Sequence, residues 1–273
     1  MITKKKVLFI THEMAPYHEE TDFAQVLNQL AVKSNEMGYE VRVIMPRFGT
    51  VNERRHRLHE VVRLSGLNIS VDKEDYPLVI KVASLPNARL QVYFMDNEEF
   101  FKRKFIFHDA DGKFFDDNTD RLIFFCKSAL ETVKKFGWPP DVILVHGWMS
   151  GIVPMLIKTH YKQEPVFANS TLVYAATRNT FKENLGSEFM QTTLNSANLK
   201  DKDLEPFKPG TNYNLMCGGA KFADVVILGD TNVDPQFASD VKPSKTKKVI
   251  SYDPTSNGIE MITEVLDQYI NKD

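Results

Sequence analysis

The chain has 273 residues, 42% of them hydrophobic and 26% charged, the composition of an ordinary soluble globular protein with enough length to bury a substantial core. A formal net charge of −2 gives no electrostatic basis for binding nucleic acid or an anionic membrane, and no apolar run approaches the ~20 residues of a bilayer span. Two cysteines, Cys126 and Cys217, lie far apart in helical patterns, which argues against a disulfide framework and fits a cytoplasmic protein with reduced thiols.

The first apolar run, KVLFI (6–10), predicts a strand buried on both faces. Phe23, Val26, Leu27, Leu30, Ala31 and Met37 follow at helical spacing, with Gly38 as the stop and Thr21 or Asp22 placed to cap the first turn. VRVIMP (41–46) then completes a βαβ unit. Between about 59 and 96 the period changes from 3.6 to 2, which predicts a hairpin or meander inserted in the frame. A polar, acidic loop at 108–120 leads into a helix from Asp120 to about Phe136, stopped by Gly137 and two prolines. DVILVH (141–146), STLVYAAT (170–177), DVVILG (224–229) and KKVISY (247–252) read as strands. Most of MSGIVPMLIKTHY (149–161) and all of YNLMCGGAKFA (213–223) read as helices between them. The last segment, 258–270, is an amphipathic helix with Ile259, Ile262, Val265, Leu266 and Tyr269 on one side. Alternating strands and helices without a linker predict an α/β fold: one domain over 1–273, a doubly wound and mostly parallel sheet.

In such a sheet the site lies beyond the carboxyl ends of the strands, where the crossover direction reverses. That rule selects the loops at 11–22, 146–150, 177–186 and 229–235. A helix start attracts phosphate through its free N–H groups and its dipole. Here the start carries Glu19, Glu20, Thr21 and Asp22, and there is no glycine between Thr11 and Met37 to let a ligand approach the backbone. Like charges ~4 Å apart cost on the order of 4 kcal/mol at an effective dielectric of 20, so a diphosphate is disfavoured. The bland reading is a capped helix start. In HGWMSG (146–151), His146 ends a strand and Trp148 offers an apolar wall, so the imidazole is placed to donate to a sugar hydroxyl or a developing charge, unless it is purely structural. His56 and His59 lack an acidic or cysteine companion, and no metal is expected. No nucleophile elbow, Walker loop or Gly-x-Gly-x-x-Gly fingerprint occurs, and CGGAK (217–221) lies inside a helical pattern, where close packing explains its glycines.

Taken in order, these stretches resemble the N-terminal domain of bacterial glycogen synthases and plant starch synthases, which use ADP-glucose. That family opens with a strand, Ser-Glu-x-x-Pro, Lys-x-Gly-Gly-Leu-Ala-Asp-Val and a helix leading to Val-x-Val-x-x-Pro. Glu13, Pro16, Ala24, Val26 and VRVIMPRFG keep the pattern, and the likeness runs on through VYFMDNEEFFKR, DGKFFDDNTDRLIFFCKSALE, WPPDVILVHGW and GGAKFADVVIL, over about 1–235. The resemblance implies the N-terminal half of a GT-B glycosyltransferase: a Rossmann-like domain that binds the glucan acceptor and closes on a diphosphate held largely by a second domain. It implies a retaining reaction, with no metal and no other cofactor, in which positive groups stabilise departing ADP.

The departures gather at the cleft. The family's Lys-x-Gly-Gly is replaced by Glu19, Glu20, Thr21 and Asp22; its His-Asp-Trp is His146-Gly147-Trp148; its His-Asn after the next strand is Thr177-Arg178; the position of its serine after Ala-Asp-x-x-x-x-Val lies near Asp230; and the second, nucleotide-sugar-binding domain is expected to be absent. The resemblance leaves His146 as the catalytic candidate and Glu13, Tyr17 and Trp148 as substrate-binding candidates. Three readings stay open: a glucan-binding or regulatory module of α-1,4-glucan metabolism, a glucosyltransferase completed by a separate C-terminal-type partner, and a scaffold or homo-oligomerisation unit without a sugar site.

Overall fold

The computed structural model describes residues 4–271 apart from 87, 230–231 and 255–256, so Asp230 lies outside the described residues. In chain order the strands are β1 (Lys6–Thr11), β2 (Glu40–Pro46), β3 (His59–Glu60), β4 (Leu67–Val71), β5 (Glu74–Ser84), β6 (Gln91–Asp96), β7 (Val142–His146), β8 (Thr171–Ala176), β9 (Val225–Leu228) and β10 (Lys248–Ser251). They pair in the order β10-β9-β8-β7-β1-β2-β6-β5-β3, with β4 joined to β5. From β10 across to β6 every pairing is parallel, and only the β3, β4 and β5 pairings are antiparallel. The chain is therefore an α/β domain with a doubly wound, mostly parallel sheet.

Parallel strands covered on both faces read as continuous apolar runs. Val7, Leu8, Phe9 and Ile10 of β1 and Val142 to Val145 of β7 are all fully buried. Winding proceeds one way through β1, β2 and β6, and the other way through β7, β8, β9 and β10. The reversal lies between β1 and β7, which pair with Thr11 opposite His146. The two loops leaving those strands consequently share one crevice.

Helix Phe23–Glu36 crosses from β1 to β2 and packs against the final helix Gly258–Ile270, with the Tyr39 hydroxyl bonded to Asp267. Burial of Ile262, Val265, Leu266 and Ile270 shows what the apolar side of that final helix is for. Helices Asn118–Phe136, Val153–Lys158 and Asn212–Phe222 pack in sequence on one another, on the face that right-handed crossovers assign to this half of the sheet.

Several boundaries differ from the expectations. Within the predicted meander, the end of the stretch forms β6, a frame strand parallel to β2, while its beginning breaks into β3 and β4 around Gly66 at φ +82°. Helix formation begins at Asn118 rather than Asp120. The stretch 149–161 is mostly not α-helix, because Pro154 sits in the first turn of Val153–Lys158 and only a 3₁₀ turn, Trp148–Ser150, precedes it. Asp22 makes no side-chain cap; Thr21 Oγ1 instead accepts the Phe23 N–H at 3.3 Å.

The CGGAK glycines are packing devices. A Cβ on Gly219 would come within 2.5 Å of the Tyr174 ring, which is fully buried and bonded through its hydroxyl to the Gly147 carbonyl at 3.1 Å. Overpacking of this kind costs about 1–3 kcal/mol. Gly219→Ala should therefore lower the unfolding free energy by that amount, read as a lower urea midpoint with the slope m unchanged; an unaltered midpoint would show that the helix has room to move.

Candidate functional site

Thr11 ends β1, and the next two residues, His12 and Glu13, enter the crevice from below. Both are buried, Glu13 completely. Its carboxylate accepts the backbone N–H groups of Glu20 and Thr21, both at 2.7 Å, and the Thr21 hydroxyl at 2.6 Å. The fourth bond joins Glu13 Oε1 to His146 Nε2 at 2.8 Å, across from the end of β7. His146 Nδ1 lies 3.1 Å from the Ala175 carbonyl, which can only accept, so Nδ1 carries a proton and a further proton holds Nε2 to Oε1. Burial penalises the Glu13 carboxylate, yet the bond from His146, the charges of His146 and His12, and the Thr21 hydroxyl outweigh it and push the pKa down to about 2.

A second histidine–carboxylate pair lies alongside. His12 Nε2 meets Glu20 Oε2 at 2.7 Å, and the His12 and His146 rings are nearly parallel with centroids 5.9 Å apart. Burial disfavours the His12 imidazolium, but the bond to Glu20 and the charges of Glu20 and Glu13 raise its pKa. His12 was not singled out from the sequence; the one signal was its place directly before Glu13, where the family pattern carries serine. Gly147, which replaces the family's aspartate, is explained by the same ring. It sits at φ +78°, and any Cβ there would strike the His12 imidazole. A large residue at 12 and none at 147 thus fill one volume.

The helix start above this network has few donors left. The N–H groups of Glu20 and Thr21 are held by Glu13, that of Phe23 by Thr21 Oγ1, and those of Ala24 and Gln25 by the carbonyls of Thr21 and Asp22 at 3.2 Å. Glu19, Glu20, Thr21 and Asp22 together line a cavity of about 380 Å³ whose far wall includes Gly229 and Tyr252. Arg178, the residue at the family's asparagine, reaches the loop with Nη2 donating to the Glu20 carbonyl at 3.2 Å. The cavity is therefore acidic, and its floor of amides is already occupied by a carboxylate of the chain.

The four sugar-site candidates are all buried: Glu13 and His146 fully, Trp148 at 2% and Tyr17 at 6% exposure. His146 and Glu13 meet each other, and Trp148 lies beside them behind His12, with ring centroids 6.0 Å apart. Phe107 and Phe181 cover Trp148 edge-on at 4.7 and 4.8 Å. Tyr17 stands apart, against Phe94 and His56, its pKa pushed up to about 12 by burial. A ligand reaches these side chains only if the covering loops move. Among the described residues no group of histidine, cysteine and acidic side chains is arranged to hold a metal ion.

Three comparisons bear on this geometry. The family described as the starch synthase catalytic domain matches residues 6–250. The chain is 33% identical to the glycogen synthase of Chlorobium limicola over 223 residues, covering 81% of this chain and 45% of that protein, and 32% identical to that of Chlorobaculum parvum over 244 residues, covering 88% and 48%. It thus spans about half the length of the curated relatives it matches. The fold is similar to the catalytic domain of starch synthase IV from Arabidopsis thaliana, solved bound to ADP and acarbose, with a TM-score of 0.69, 19% identity, and coverage of 98% of this chain and 50% of that one.

Two outcomes follow from the buried pairs. Glu13, with a folded pKa of about 2 against an ordinary 4.5, contributes its stability fully above about pH 4.5 and loses roughly 3 kcal/mol as the pH falls toward 2. Acid unfolding of Glu13→Gln should lack that loss, and a wild-type-like acid profile in the variant would refute the assignment. In a double-mutant cycle, Gly147→Asp alone should be strongly destabilising, while His12→Ser should relieve part of the cost, a coupling of about 1 kcal/mol or more. Strict additivity of the two substitutions would show that they do not share a volume.

Proposed function

Because the chain belongs to the starch synthase catalytic-domain family, we propose that it is a glucan-binding module of glycogen or starch metabolism that does not hold a sugar nucleotide by itself. The observation that carries this reading is the Glu13 carboxylate bound to the loop amides of Glu20 and Thr21. Those are the donors that a diphosphate entering at the helix start would need. Exposed Glu19 and Asp22 add negative charge at the cavity, so a diphosphate loses donors and gains repulsion together. A neutral glucan meets neither obstacle.

A second reading draws on the same acidic rim. Glu19 and Asp22 would suit cationic groups on a separate C-terminal-type glycosyltransferase domain, and the preserved sheet would then serve as the acceptor side of a two-chain glucosyltransferase. In that case His146 would act only after the covering loops had shifted.

Calorimetric titration of the purified chain separates the outcomes. Maltoheptaose should give saturable heat, and ADP-glucose should give none at millimolar concentration. Stoichiometric, tight binding of ADP-glucose, or no response to maltoheptaose, would sink the module reading. Glucosyl transfer from ADP-glucose to glycogen that appears only after a C-terminal-type domain is added would establish the second.

A further inference from the structure

The cations of this chain are not spread evenly. Segment 54–63, RRHRLHEVVR, carries four arginines against one acid, Glu60, in a chain whose formal net charge is −2. Arg54, Arg55, Arg57 and Arg63 are all exposed, and none is in an ion pair among the described residues. The backbone beneath them is fixed. Asn52 Oδ1 caps helix Glu53–His56 by accepting the Arg55 N–H at 2.9 Å, and Glu53 is clamped by Arg47 at 2.9 Å and Lys81 at 2.7 Å. Unpaired cations gathered on ordered backbone repel one another, and an anionic partner relieves that repulsion.

Two further features share the segment. Among the described residues the sheet ends at β3, so one side of that strand is unpaired. The Val61 N–H donates to the Ile80 carbonyl at 2.8 Å, in register with His59 opposite Val82. Glu60, between them, therefore turns its N–H and C=O outward, away from β5. Val62, on the turn that follows, is 78% exposed, the most exposed large apolar side chain among the described residues.

We propose that β3 and the arginines around it form a docking site for an extended acidic polypeptide segment of another protein, taken up by strand addition. An open strand edge is a template for a further strand, and here it offers the peptide groups of Glu60. The guanidinium forks suit carboxylates, and Val62 meets an apolar side chain within the same segment. Only a polypeptide supplies all three at once. A nucleic-acid backbone or an anionic lipid surface brings the charge but no strand to pair. The site lies on the sheet edge and is independent of the glucan reading.

The test is fluorescence anisotropy of a fluorescein-labelled peptide of alternating glutamate and valine, titrated with the whole chain. Binding should be saturable at low salt and weaken as salt rises. Arg54→Glu combined with Arg55→Glu should weaken it at least about tenfold, and Val62→Ser by a smaller factor. Two changes at Glu60 should act in opposite directions. Glu60→Gln removes a repelling charge and tightens binding, whereas Glu60→Pro removes the outward N–H and weakens binding about tenfold with the thermal midpoint unchanged. If Glu60→Pro disturbs folding, N-methylation of alternate peptide residues, which blocks strand pairing from the other side, should give the same loss. No saturable binding, wild-type affinity in the double arginine variant, or full affinity for the N-methylated peptide would overturn the proposal. So would tighter capture of single-stranded RNA or anionic vesicles than of the peptide. Self-association seen by light scattering and lost in the double arginine variant would overturn it too, by making a second copy of the chain the occupant.

Discussion

Glu13 accepts hydrogen bonds from two loop amides, one hydroxyl and one imidazole, and the arrangement of both loops at the switch point follows from those four bonds. A carboxylate taken out of water costs several kcal/mol unless donors replace its hydration, and here they do. The consequence extends to the helix start. Amides that would otherwise present a positive cradle to a ligand are aimed inward at an anion the chain supplies. His146, at the end of β7, is fixed by the same carboxylate and by the Ala175 carbonyl, which ties the β1 loop to the β7 loop and gives the crevice its closed form.

The scaffold was legible because its physics is periodic. Buried strands such as β1 and β7 stand out as apolar runs, helix Phe23–Glu36 shows its inward face at 3.6-residue spacing, and the reversal of winding picks out the loops after them. Boundaries were less so. Pro154 confines the helix after Trp148 to six residues, Val153–Lys158, and β6 joins the parallel frame by pairing with β2, which no local pattern in VYFMD announces. The acids at 19, 20 and 22 were visible as a charge pattern, but their division of labour was not. Glu20 turns inward to His12, while Glu19 pairs with Gln25 and Asp22 caps nothing with its side chain.

The pairing of His12 with Gly147 illustrates what a single sequence conceals. Each departs from the family pattern separately, and read alone the glycine is only a lost aspartate. Together they are one packing solution: an imidazole in the space a side chain at 147 would need, with backbone at φ +78°. The aromatic cover over Trp148, from Phe107 and Phe181, likewise comes from loops distant in sequence. These contacts turn the crevice inward.

The most direct measurement is a ¹H–¹⁵N spectrum of the chain with the Glu20 and Thr21 amides assigned, followed under added ADP-glucose and under acid. If the carboxylate of Glu13 holds those amides, both should exchange slowly with solvent, stay unmoved by millimolar ADP-glucose, and shift together only as the pH falls toward its pKa of about 2. Fast exchange at neutral pH, or a saturable shift of both amides on adding the sugar nucleotide, would contradict the account.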